Sequence, residues 1–197
     1  MREPPDIFIP PSLLDPRVML MVPRGERAAL TALWKLEARL FGVVAQRREV
    51  VLAQIKLAWW RERLEQVAVA PATLPKGEPL LAELAATWSG HASLAPVAEA
   101  YEAIMLAEDA GALANAGTAL GGAMHAGQAW GLVRAALLAG DDELQAAMWA
   151  EVAAARLSRE PRFVRTLGRW AQLLAKGHGA VSSRAEGWLL LRAGVGL

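Results

Sequence analysis

The run Leu57-Ala58-Trp59-Trp60-Arg61-Glu62-Arg63-Leu64-Glu65-Gln66-Val67 constrains the fold of this chain more than any other. Neighbours on a helix lie about 100° apart, so two adjacent indoles point to different sides. Each needs a surface to receive it. The pattern therefore predicts a helix held in the middle of an all-helical bundle, with neighbours on two sides, and not a surface helix.

The rest of the chain agrees with that class. No segment alternates like a strand between hairpin turns, and helical spacing recurs. Leu30, Leu33, Trp34, Leu36, Leu40 and Phe41 share one broad apolar face of a helix starting near Gly25, with Gly42 expected to bend or end it. A second helix is expected from about Arg48 to Ala70, closed by Pro71, and Pro75, Gly77 and Pro79 mark a loop. Leu80–Trp88 and Leu94–Ala110 follow, with a break at Ser89-Gly90. Gly111–Ala139 is expected as one long helix bent near Gly121-Gly122. Gly140-Asp141-Asp142-Glu143 supplies a C-cap and an acidic first turn. Helices at 142–158, 161–175 and 181–193 complete about seven or eight, with breaks at Pro161 and Gly177–Gly179. Pro4, Pro5, Pro10, Pro11, Pro16 and Pro23 make residues 1–24 an extended arm with at most a short turn, and 25–197 a single helical domain. Eight tryptophans (34, 59, 60, 88, 130, 149, 170, 188) facing Ala- and Gly-rich neighbours suit a close-packed bundle.

Charge and composition exclude several function classes. The net charge is +1, and Gln46-Arg47-Arg48 is too short a basic run for a nucleic-acid surface. Cysteine is absent and His91, His125 and His178 are scattered, so neither a disulfide framework nor a thiolate or histidine metal site is expected. The N-terminus lacks the pattern of a secretory signal, which points to the cytoplasm. Ala110–Val133 carries no formal charge and is long enough to span a bilayer. Its Ala and Gly content, with Asn115, Thr118, His125 and Gln128 interspersed, suits close helix packing better; peripheral attachment at the inner face of a membrane stays open.

Around the helix of residues 50–69, Val51, Leu52, Ile55, Ala58 and Trp59 form one apolar sector, and Leu57, Trp60, Leu64 and Val67 another. Gln54, Arg61 and Glu65 lie in line between them. Two readings follow. Gln54 and Arg61 look into a cavity where the guanidinium holds a phosphate or carboxylate, or Arg61 pairs with Glu65 on ordinary surface.

The Trp-Trp-Arg run resembles the "L-x-W-W-R-x-x-L" stretch of the squalene/phytoene synthase family. Residues 27–37 resemble that family's first core helix, and Gly127-Gln128-Ala129-Trp130-Gly131-Leu132-Val133-Arg134-Ala135-Ala136-Leu137 is similar to its later "G-x-A-x-x-L-x-x-x-L" helix; together the likeness covers about 24–140. It implies an isoprenoid-synthase-type helical bundle and, in enzymes of the family, two aspartate-rich helices that hold Mg²⁺ against prenyl diphosphates. Here the five aspartates are Asp6, Asp15, Asp109, Asp141 and Asp142, and no Asp/Glu pair is four residues apart. The family's carboxylate positions fall near Phe41, Ala45, Leu138 and Asp142, and its preceding arginine near Leu137. Neither Glu62 with Glu65 nor Glu99 with Glu102 replaces them, so no metal ligand and no catalytic residue is assigned. The departures resemble a noncatalytic branch of the family, the complex I assembly factors. That likeness implies a pseudoenzyme acting by protein binding in assembly of a membrane-associated, respiratory complex. The alternatives are a Mg²⁺-dependent prenyl-diphosphate transferase, or a subunit supporting one. A residual pocket for a prenyl or lipid ligand would be lined by Trp34, Phe41, Trp59 or Trp60 and Trp130, with Gln54 and Arg61 as polar contacts.

Overall fold

Residues 13–46, 49–88, 92–157 and 160–177 are described by the structure, a computed structural model. They form α-helices and two short 3₁₀ turns, with no strand among them. The helices are α1 (Pro16–Met19), α2 (Arg27–Ala45), α3 (Val50–Val69), α4 (Pro79–Thr87), α5 (Ala95–Leu106), α6 (Ala110–Ala123), α7 (Gln128–Leu138), α8 (Asp142–Ala154) and α9 (Arg162–Lys176). Their starts follow from local chemistry. Asp109 and Asp141 cap α6 and α8, each accepting from a backbone N–H at 2.8 Å, and proline occupies the first turn of α1, α4 and α5. Asp142, at one of the family's carboxylate positions, is the first residue of α8. Gly42 does not end its helix: α2 continues to Ala45.

The centre of the bundle is α7, not the double-tryptophan helix. Eight consecutive residues of α7, Ala129 to Ala136, are buried, and it packs against α6, α8, α9, α2 and α5. Its glycine and alanine positions let neighbouring helices approach closely, while Trp130, Leu132 and Val133 fill the core around it.

The single bent helix expected over 111–139 is instead two helices, α6 and α7, folded back on each other. His125 (φ 51°) and Gly127 (φ 83°) take left-handed or positive-φ backbone in the turn, and Ala126 and Gly127 both donate to the Gly121 carbonyl at 3.1 Å. Those bonds satisfy the last turn of α6 while reversing the chain. The helices then touch backbone to backbone. A Cβ added at Gly131 would run into Gly117 O and lie 2.8 Å from Gly121 Cα. Splitting the uncharged stretch this way leaves no helix, among the described residues, long and apolar enough to cross a membrane.

Residues 13–24 pack into the body instead of forming an extended arm. Leu13, Val18 and Val22 are buried in the common core, α1 rests on α9, and the Arg17 guanidinium lies 5.7 Å from the Trp170 ring centre. The Arg27 side chain holds the segment down by donating to the Val22 and Leu20 carbonyls. The remainder of the expected arm (1–12), the break at Ser89-Gly90 and the helix expected at 181–193, with Trp188, lie outside the described residues.

Candidate functional site

Of the two apolar sectors on α3, one is core and the other faces outward. Ala53, Leu57, Trp60, Leu64 and Val67 are buried, against α5 above all, with α4 and α2. Val51 is 66% exposed, Leu52 48%, Ile55 60% and Trp59 37%. The expectation that both indoles would be received by neighbours is therefore corrected: Trp60 is inside and Trp59 stands at the edge. Its ring meets Trp60 edge-on at 5.1 Å and lies beneath the Arg63 guanidinium at 5.9 Å. Periodicity locates an apolar sector on a helix; it does not say whether another helix lies opposite.

Beside this face, a groove of about 700 Å³ runs between α2 and α3. Ala38, Gly42, Leu52, Ala53, Trp59 and Trp60 line it, and both signs of charge border it, Arg39 and Lys56 with Glu49 and Glu78. Gly42 contributes directly, since a Cβ there would meet nothing within 4 Å.

The candidate pocket residues do not form one site: Trp59 and Trp60 line the groove, whereas Phe41 and Trp130 lie beside Arg134. Trp34 is core, donating its indole N–H to the Met124 carbonyl at 3.1 Å. Trp130 is core as well. Neither Gln54 nor Arg61 lines the groove. Arg61 reaches across to Glu102 on α5 at 3.2 Å, a different partner from the expected Glu65. The pair is part-exposed and contributes on the order of 0–1 kcal/mol.

Where the resemblance places a metal carboxylate, Phe41 lies under a guanidinium. Arg134 of α7 sits 4.6 Å from the Phe41 ring centre and 5.5 Å from that of Trp130. Its Nη2 donates to Glu37 Oε2 at 3.0 Å, and its Nε lies 2.6 Å from Oε1. The Tyr101 hydroxyl donates to Oε1 at 2.6 Å. Glu37 and Tyr101 are almost wholly buried. One carboxylate thus ties α2, α5 and α7 together. None of these three residues stood out in the sequence: each is a single polar position in an apolar helical pattern, and their partners are 64 and 97 residues away. Among the described residues, no group of three or more His, Asp or Glu side chains is placed to hold a metal ion.

Tyr101, the only tyrosine, reports on this cluster. Burial first, then the Glu37 charge and hydrogen bond, push its phenol well above 10.0, against a smaller opposing pull from Arg134. The folded state therefore retains a proton that the unfolded chain gives up near pH 10. The associated stability is fully present below that pH and is lost as pH rises towards the folded-state value. A thermal-melting series across this range should show an alkaline decline in wild type that Tyr101→Phe weakens. Equal declines in both proteins would rule the coupling out.

No family model matches the chain, and neither does any curated protein or solved structure.

Proposed function

We propose that this protein is a noncatalytic helical bundle of the squalene/phytoene-synthase-like type, acting by binding another protein in the assembly of a membrane-associated complex. The observation that carries the reading is the outward apolar sector of α3: four large side chains, at 51, 52, 55 and 59, face solvent beside an open groove. Contiguous exposed apolar surface rimmed by charge is characteristic of interaction sites, and an exposed tryptophan at its edge is the residue type most often found to anchor one. The interior supports the same reading. Phe41, at one position where the family resemblance would need a carboxylate, is an apolar ring beside the Arg134–Glu37 pair.

A photo-crosslinking residue at position 51, in the native host, should yield one discrete protein adduct. Ile55→Glu should abolish it while changing stability by no more than about 0.5 kcal/mol, as for a surface substitution. An adduct indifferent to Ile55→Glu, or none at all, would remove this face from consideration. Incubation with prenyl diphosphates and Mg²⁺ should release no more diphosphate than a boiled control. Release above it that Arg61→Ala abolishes would replace the proposal with a transferase.

A further inference from the structure

We infer that a second cavity, which shares no lining residue with the groove beside α3, binds a small organic cation with an apolar body. The cavity measures about 870 Å³, within the range of about 300–1,000 Å³ typical of ligand sites. It lies where the α6–α7 turn meets the starts of α2 and α9. Leu30, Trp88, Phe163 and Val164 give it an apolar and aromatic lining.

The turn itself opens the site. The positive φ of His125 is uncommon for a residue with a side chain. It leaves the imidazole exposed, with its ring 5.7 Å from that of Trp88. Gln128 at the start of α7 donates to Thr118 on α6 at 3.4 Å, so polar groups of both helices also line the cavity.

Charge decides the ligand class. The charged side chains lining the cavity are Glu26 and Glu160, and no lysine or arginine joins them among the described residues. Among the described lining residues, a diphosphate or carboxylate would meet two like charges and no lysine or arginine to offset them. An ammonium group is attracted by both carboxylates, and the Trp88 face can add a cation–π contact. The apolar body then takes the Leu30, Phe163 and Val164 side. The site is independent of the protein-binding proposal.

Gly122 provides a clean block. It lines the cavity, yet a Cβ there would meet nothing within 4 Å, so Gly122→Leu adds bulk to the space without striking the core. The test is calorimetric titration of the full chain with naphthylmethyl-trimethylammonium, and separately with naphthalenesulfonate and naphthalenemethanol. The cation should bind at least about tenfold more tightly than either analogue. Gly122→Leu should abolish binding while melting at or above the wild-type temperature, and Glu160→Gln should weaken the cation alone. Equal binding of all three probes would overturn the assignment of charge. No binding of the cation, or binding unchanged by Gly122→Leu, would overturn the site.

Discussion

Glu37→Ala should destabilise the protein by about 3–5 kcal/mol, the cost of leaving one member of a buried ion pair without its partner. The substitution removes the carboxylate that Arg134 meets at 2.6 and 3.0 Å and that Tyr101 donates to at 2.6 Å. The guanidinium has little access to water, since the Arg134 side chain is only 10% exposed and lies beside the Phe41 and Trp130 rings. Three helices lose a common tie in one step. Urea unfolding monitored by circular dichroism gives the difference directly, and a loss below about 1 kcal/mol would show that the cluster is not energetically coupled. The triple replacement Glu37→Leu, Arg134→Met and Tyr101→Phe, which also removes the buried hydroxyl that donates to Glu37, supplies the contrast. Removing both charges and filling their volume should restore most of the loss, since a buried ion pair contributes little net stability over well-packed apolar groups. The pair therefore matters more for which helices are joined than for how tightly.

Gly131→Ala should have an effect of similar size by a different route. The added methyl would collide with Gly117 O and approach Gly121 Cα to 2.8 Å. These are backbone atoms of α6, so no side-chain rotation relieves the contact, and α7 has to move as a unit. Overpacking of a core costs about 1–3 kcal/mol where side chains can adjust; here they cannot, and a loss of at least about 3 kcal/mol is expected. Alanine also favours helix by roughly 0.5–1 kcal/mol over glycine, so a destabilised Gly131→Ala protein would isolate the packing term. Gly122→Ala is the internal control. It makes the same chemical change on α6 with nothing within 4 Å of the new Cβ, and should be neutral or slightly stabilising. Equal melting temperatures for the two variants would mean that α6 and α7 are not in backbone contact.

Both results depend on α7, and the sequence directs attention elsewhere. Trp59-Trp60 is conspicuous, and its geometry correctly separates two apolar sectors on α3. Which sector is buried depends on where α5 lies. The Gly and Ala positions between 110 and 139 point to close packing, and that holds at Gly117, Gly121 and Gly131. The reversal at 124–127 is less legible, because Met124, His125 and Ala126 carry no turn signature. Gly127 is the only residue there whose backbone preference points to a break. Glu37 and Arg134 look like ordinary helix-surface residues in one dimension. So does Arg61, whose partner Glu102 is 41 positions away.

What the sequence determines by itself is local. Helical spacing, proline in first turns, and Asp109 and Asp141 as caps set the all-α class and most element starts, because those forces act over a few neighbouring residues. Position within the bundle is a different matter. That α7 is central, that Trp60 is covered while Trp59 is not, and that Glu37 meets Arg134 all depend on helices brought together from distant parts of the chain. Burial is a property of what lies opposite a side chain, and only the tertiary structure supplies that.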